Sequence, residues 1–364
     1  MAKSDLHDLS ICKESFHPMM GGDGPDKADI LIVGEAPGEH EDRVGRPFVG
    51  KSGSFLKKDL IRSSGIDITK VRFTNAVRCK PTNNRTPTIN EIEKFYPMLD
   101  EEVRSVSPKV VVAAGSAALA SVLRFVYKGS EEREAKVSGI LKWRGKKIWH
   151  REWNCWIVPT PHPRYTMTKF RREGSEYHYL QGIADFELAH KLSKQKRPRI
   201  DRVESVWIQS VNDLRSMLDE MEASDRFGFD IETGGVGKPV NKWIIGASFA
   251  SNAQKGYYAT WDLIESDPRS YERVLDLVSS FREKLMHNGA YEIAVFRALG
   301  LPINTKYFDT MIAANMVDEN FYVGLKPLTW LYTQFGGYEL PLDQYKYENG
   351  IKEDYSLIPT EGLA

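Results

Sequence analysis

The stretch that most constrains this chain is Ile30-Leu31-Ile32-Val33, which runs directly into Gly34-Glu35-Ala36-Pro37-Gly38-Glu39-His40-Glu41-Asp42 and on to Pro47-Phe48-Val49-Gly50. A short unbroken apolar run reads as a strand buried on both faces, as in a parallel sheet. The amphipathic segment Ser52–Ser63 that follows reads as a helix. A strand leading through a functional loop into a helix is the unit of an open α/β sheet, whose chemistry gathers at the strands' carboxyl ends. The loop lacks the G-x-G-x-x-G spacing of a dinucleotide cradle and is rich in acids, which argues against a phosphate ligand there.

Further units of the same kind follow. Val71–Val77 reads as a second strand, with a polar exit loop Arg78–Pro87 bounded by proline. Thr88 and Glu91 have the spacing of a reciprocal helix cap for a helix over residues 89–105. Residues 108–115 and 156–160 read as third and fourth strands, the latter leaving through Pro161-His162-Pro163-Arg164-Tyr165. A helix over 176–194 closes the unit. The expected fold is an αβα sandwich on a four-stranded parallel sheet. Residues 1–28 read as a loosely structured N-terminal segment, and Lys128–Lys136 as a solvated charged excursion.

The length of 364 residues suits two domains. Net charge is zero only by cancellation, because residues 1–200 carry 35 Lys and Arg against 25 Asp and Glu, and residues 201–364 carry 15 against 25. A basic first half suits a phosphate backbone. The charge changes sign at the basic, proline-bearing stretch 194–206, read as a linker between a domain at 29–193 and one at 207–364. In the second domain, residues 226–233, 242–250 and 256–260 read as strands of an antiparallel meander, and 270–284, 290–299 and 309–317 as helices. No apolar run reaches the roughly 20 residues of a membrane helix. Three cysteines, Cys12, Cys79 and Cys155, are too few for a disulfide framework, so a reducing cytoplasm and free thiols are expected.

Four strand ends would bring together Glu35 and Glu41, Asn75, Phe48 and His162. That set suits removal of a base from a nucleotide. Breaking an N-glycosidic bond passes through an oxocarbenium-like sugar that a carboxylate stabilises. A histidine donor stabilises charge growing on the departing pyrimidine. An Asn amide complements uracil's O4 and N3–H and mismatches cytosine. An aromatic face stacks on an extrahelical base. Glu39 and Asp42 read as solvated loop acids.

The motifs GEAPGEHEDRVGRPFVGKSG (34–53), FTNAVRCKPTNNRTP (73–87), PKVVVAAG (108–115) and PHPRY (161–165) make residues 29–190 resemble the uracil-DNA glycosylase superfamily, nearest its family 4. The resemblance implies Glu35, Glu41 and His162 as catalytic candidates, and Phe48, Asn75, Gly34 and Ala36 around uracil. It implies Arg46, Lys51, Arg85, Pro163 and Arg164 as DNA contacts. Family 4 members also hold a four-iron, four-sulfur cluster on four cysteines. Cys12 and Cys79 match two ligand positions, Ser15 and Phe95 stand near the other two, and Cys155 matches none. Four thiolates is the usual ligand set, so no cluster is expected.

In the second half, Asp230 and Glu232 at i and i+2 on a strand share one face, an arrangement that favours a divalent cation. Phe229-Asp230-Ile231-Glu232-Thr233 and His287-Asn288-Gly289-Ala290-Tyr291-Glu292 resemble the first two motifs of the DEDD-type 3′–5′ exonucleases joined to family A DNA polymerases, with Glu292 where Asp is usual. Phe308-Asp309-Thr310-Met311 resembles the segment that follows. The resemblance implies an RNase H-like mixed sheet, Mg²⁺ or Mn²⁺ held by Asp230, Glu232 and Glu292, and a single-stranded 3′ end as substrate. Beyond the second motif the sequence stops before the family's Tyr-x-x-x-Asp motif and its polymerase domain could occur, so the chain reads as the N-terminal part of a longer phage-type polymerase whose remainder is a partner in cis or as a separate chain. Three functional readings stay open: a uracil-DNA glycosylase with an exonuclease-like domain, a module that senses uracil in DNA without excising it, or a non-sequence-specific DNA clamp with no preference for uracil.

Overall fold

The structure is a computed structural model that describes residues 10–124, 139–200, 202–351 and 354–359. The charged stretch Lys128–Lys136 lies outside the described residues. The chain divides into two compact units, one of Met1–Arg199 with Thr329–Gly337 and the other of Ile200–Leu328 with Tyr338–Ala364.

In the first unit the elements run Ile30–Gly34 (β1), Glu39–Val44 (α1), Lys51–Phe55 (α2), Val71–Asn75 (β2), Ile89–Val106 (α3), Val110–Ala114 (β3), Ser116–Leu123 (α4), Ile140–Trp143 (α5), Ile148–His150 (β4), Cys155–Thr160 (β5), Pro163–Glu173 (α6) and Glu176–Ser193 (α7). The sheet order is β2-β1-β3-β5-β4. The first four strands are parallel, as expected. The fifth, β4, is an antiparallel edge strand paired Trp149 to Trp156. It is absent from the sequence reading because a three-residue strand following two lysines carries almost no periodic signal.

The apolar runs explain the layering. Every residue of β1 and of β3 is buried. One face packs Ile30, Ile32, Val110, Val112 and Val158 against Phe55, Leu60, Phe186 and Leu192 from α2, its extension and α7. On the other side Ile92 and Phe95 of α3 pack with Ala117 and Ala120 of α4 and with Val77. Thr88 and Glu91 form the reciprocal cap read from their spacing. Beyond Phe55, α2 continues as a wider π-type turn over Leu56–Ile61.

The N-terminal segment departs from expectation. From Ser10 it is packed, with Ile11, Cys12 and Met20 buried. Asp23 exchanges backbone hydrogen bonds with Phe73 of β2.

The second unit contains Glu204–Ile208 (β6), Val211–Glu222 (α8), Arg226–Gly234 (β7), Trp243–Asn252 (β8), Lys255–Thr260 (β9), Trp261–Ser266 (α9), Pro268–Ser279 (α10), Glu283–Met286 (β10), Ala290–Ala298 (α11), Tyr307–Asp309 (β11) and Thr310–Val317 (α12). Its mixed sheet runs β11-β10-β7-β8-β9-β6. The meander β7-β8-β9 is antiparallel as expected. Two readings are corrected. Residues 283 and 284, placed at the end of a helix, open the strand Glu283–Met286 (β10), because the helix stops at Ser279 and the chain turns back beside Arg226–Gly228. The span 194–206, read as linker, already contains the start of β6, which pairs with β9. Phe227, Phe229 and Phe249 centre the core between α8 and α11.

Candidate active site

The strand ends of the first unit surround a cavity of about 420 Å³ lined by Glu35, Glu41, Phe48, Asn75, Arg85 and His162 among others. Ala36 and Arg164 also line it. Each reaches it for a local reason. Asn75 is the last residue of β2 and is buried at 6% exposure. Its Oδ1 sits so close to Gly34 that a Cβ there would lie 2.4 Å away, and the same atom would meet the Phe48 ring at 2.6 Å. Gly34 therefore serves the site by having no side chain.

Phe48 has φ of +54°, the left-handed region that costs a bulky residue about 1–2 kcal/mol. Such backbone persists where surrounding structure over-determines it. Here the ring is buried and lies 5.6 Å from Phe73. The next turn carries Gly53, whose added Cβ would stand 2.2 Å from the Phe48 carbonyl oxygen.

Glu41 projects from α1, and its Oε1 accepts a hydrogen bond from the Gly50 amide at 2.7 Å. Gly38 and Gly50 flank the carboxylate, each leaving only 2.9 Å between a hypothetical Cβ and one of its oxygens. His162 caps the start of α6, its Nδ1 accepting from the Arg164 amide at 3.2 Å. A ring accepting at Nδ1 carries its proton on Nε2 when neutral. Burial, assisted by the Arg164 charge and opposed by Glu41, pulls the His162 pKa down to about 4. The ring is therefore a neutral donor at physiological pH.

The DNA-contact candidates are placed unequally. Arg164 is exposed at the cavity. Lys51 is exposed on an adjoining groove with His40 and Arg43. Arg85 lines the cavity but is ion-paired with Glu91 at 2.5 Å. Arg46 is bound to Asp23 at 3.0 Å and does not line the cavity. Pro163 is a buried first residue of α6. Glu39 is exposed and paired with Arg43, in line with a solvated acid.

Asp42 is a correction. It is buried at 1% exposure and accepts from Ser15 Oγ at 2.5 Å and from the Phe16 and His17 amides at 3.0 Å. Burial pushes its pKa up, but those bonds and the nearby Lys80 charge outweigh it, and the net shift is down. Its partners lie some 25 residues earlier, where no local pattern points to it. Asp185 was missed likewise. Thr160, at the end of β5, donates to Asp185 at 2.9 Å, and Arg144 donates at 2.8 Å. Burial raises the Asp185 pKa to about 6 despite Arg144. The pair anchors the strand end from which His162 departs.

The cysteine reading is also corrected. Cys12 and Cys79, expected as free thiols, form a disulfide with a Cα–Cα distance of 5.5 Å, and Cys155 is free and buried. Folding brings residues 67 positions apart side by side.

In the second unit Asp230 lies on the exposed face of its strand beside buried Glu292, and desolvation raises the pKa of both, with the Asp230 charge adding to the rise at Glu292. Burial and the Asp230 charge raise Glu232 to about 7. Glu292 is buried and its Oε2 has no hydrogen-bond partner. Among the described residues no group of three or more His, Cys, Asp or Glu is arranged to hold a metal. Asp309 is spent on structure, accepting from the Asn288, Gly289 and Met311 amides at 2.8–3.2 Å.

Residues 22–183 match the model of the uracil DNA glycosylase superfamily. Type-4 uracil-DNA glycosylases of Sulfurisphaera tokodaii and Thermotoga maritima are 38% and 39% identical over 144 and 176 residues, which are 39% and 48% of this chain and 62% and 83% of theirs. The chain belongs to the uracil-DNA glycosylase superfamily. A DNA polymerase of Bacillus phage SP01 is 26% identical over 394 residues, 98% of this chain and 40% of that protein. The chain thus spans less than two thirds of the first of these glycosylases and of the polymerase. The Aedes aegypti Nibbler EXO domain aligns with a TM-score of 0.30 and 13% identity over 46% of this chain and 99% of that domain. Within the glycosylase-family unit, Gly34, Glu35, Ala36, Glu41, Phe48, Asn75 and His162 all fall inside the matched residues.

Proposed function

We propose that the glycosylase-family unit hydrolyses the N-glycosidic bond of uracil in DNA. The observation that carries this is the convergence of Glu35, Glu41, Phe48, Asn75 and His162 on one cavity. The flipped base stacks on Phe48, and Asn75 pairs with its O4 and N3–H. Glu41, held by the Gly50 amide, faces the cationic sugar together with Glu35, and the two carboxylates orient water for attack at C1′. Neutral His162 donates from Nε2 to the uracil oxygen that gains charge as the bond breaks. Arg164 and Lys51 contact flanking phosphates, and DNA is the partner.

We also propose that the second unit derives from a 3′–5′ exonuclease, as the alignment with a phage polymerase along 98% of the chain supports. Carboxylate oxygens are the donor type a hard divalent cation takes, and Glu292 Oε2 is buried without a partner, although among the described residues the acids as folded are not grouped around an ion. Asp230, Glu292 and Glu232 would hold Mg²⁺ or Mn²⁺, which would activate water for phosphodiester cleavage.

A uracil-containing single-stranded oligonucleotide tests the first proposal. Incubation should leave alkali-labile sites at uracil and release free base. Asn75→Asp presents only acceptors when ionised and should slow release about tenfold to a hundredfold through an unpaired buried contact. Tight uracil-selective binding without base release would overturn excision, and full activity of Asn75→Asp would overturn the assignment of base recognition.

A further inference from the structure

The two walls of the cavity are joined by a segment that does not itself line it. One wall is α1, which carries Glu41. The other is the loop after β2, whose Pro81, Asn84, Arg85 and Thr86 line the cavity. Residues 12–20 touch both. Cys12 is bonded to Cys79 on the loop, and the Met20 amide donates to the Arg78 carbonyl at 2.9 Å. On the α1 side Asp42, next to Glu41, receives Ser15 Oγ and the Phe16 and His17 amides. Ser15 completes the link: its Oγ donates to Asp42 and accepts from the Lys80 amide at 3.3 Å. Gly45, at the end of α1, has φ of +74°, and an added Cβ would meet the His17 ring at 2.9 Å. The segment is thus seated closely on α1.

The family resemblance places an iron–sulfur cluster here, and the residues do not fit one. Only Cys12 and Cys79 are within reach, and their sulfurs are joined as a disulfide that leaves no thiolate to ligate iron. Ser15 is committed to Asp42 and Lys80. Phe95 is fully buried in the same apolar cluster as Ile11, Cys12, Val77, Cys79 and Ile92, and fills the space with hydrocarbon.

We infer that residues 12–20 form a clasp, closed covalently by Cys12–Cys79 and non-covalently by the Ser15–Asp42 hydrogen bond, that sets the separation of the Glu41 wall from the Arg85 wall. Asp42 and Ser15 are positioning residues in this arrangement. The inference rests on the proposed glycosylase reading for its consequence, while the clasp itself is a statement about structure. Thiol–disulfide exchange opens it: a dithiol delivers two electrons and two protons, Cys12 and Cys79 become thiols, and the reagent leaves as a cyclic disulfide. Small misplacements of a catalytic group lower rate steeply. Opening the clasp should therefore act on the catalytic step as well as on binding.

The test uses the whole chain, isolated without reductant, then treated with dithiothreitol, alongside Cys12→Ser/Cys79→Ser and Ser15→Ala variants. Thiol titration in denaturant should find one thiol before treatment and three after. Amide exchange should then accelerate in both 39–50 and 78–86, and kcat for uracil release should fall about tenfold or more. Ser15→Ala, which keeps the disulfide, should show the same two-sided acceleration to a smaller degree. Three thiols in the untreated protein, near-stoichiometric iron after anaerobic purification, or faster exchange confined to 78–86 would overturn the clasp. Exchange that responds on both sides in a protein that never releases uracil would leave the clasp standing and remove the glycosylase reading.

Discussion

The two acidic sites of this chain are built in opposite ways. In the first unit the acids beside the cavity sit among backbone donors: Gly50 N–H serves Glu41, and the Phe16 and His17 amides with the Ser15 hydroxyl serve Asp42. In the second unit Asp230, Glu232 and Glu292 lie on a strand face and the first turn of a helix, against one another. Asp42 is held down in pKa, whereas all three acids of the second unit are pushed up. The same side-chain chemistry thus yields a fixed anion in one place and a set of carboxyls that resist ionisation in the other. The difference lies in the balance: several donors outweigh burial at Asp42, whereas at Asp230 and Glu292 a backbone donor is present but desolvation outweighs it. A site of the first kind has its charge met by donors as folded; in the second the carboxyls face one another.

The sharpest break in this comparison comes from deleting an acid on each side. Asp42→Ala removes the acceptor of one hydroxyl and two amides in a partly buried setting and should destabilise the first unit by about 1–2 kcal/mol, read by urea unfolding. Glu292→Gln should do the reverse without metal, raising the unfolding midpoint at pH 8 because a like-charge contact is relieved. An equal loss of stability in both variants would abolish the distinction.

A smaller effect is expected from Mg²⁺ or Mn²⁺. Glu232 titrates near 7 when folded and near 4.5 when unfolded. The folded state therefore binds the extra proton, and metal-free stability should fall as pH rises through 4.5 to 7. Millimolar Mn²⁺ at pH 8 should restore it as an upward shift of the second unit's melting transition, absent in Glu292→Gln. No shift in wild type would remove the metal from this site.

The smallest effect concerns His162. Its folded pKa of about 4 lies below the ordinary 6.5, so the unfolded chain holds the extra proton between these values. Stability from this group is lost as pH falls through 6.5 to 4 and is unaffected above 6.5. Uracil release should show no inflection from His162 near pH 6.5. An activity profile with a bell limb at 6.5 that His162→Gln removes would contradict a neutral ring.

Much of the fold was legible because it is written in local patterns. The runs Ile30–Val33 and Val110–Ala114 are apolar throughout, and strands buried on two faces require that. Thr88 and Glu91 announced a cap by spacing alone. The cavity residues were legible through motif order, since strand ends in a parallel sheet must meet along one edge. The failures share a cause. Lys284 ends a helix on a pattern reading and lies in a strand, because the partner strand that claims it is Arg226–Gly228, nearly sixty positions earlier. Asp42 is one loop acid among several in the sequence, and only the folding of Ser15, Phe16 and His17 onto it sets it apart.

The sequence by itself determined that two α/β units would form, which strands would be buried, and which side chains would face a common edge. Periodicity and apolar runs carry that information within a dozen residues. Only the tertiary structure decided that Cys12 meets Cys79, that Asp42 is a buried anchor, and that Glu292 faces Asp230. Such pairings depend on how distant segments close on one another. The energy of a buried polar group is set by the donors that arrive beside it, not by its neighbours along the chain.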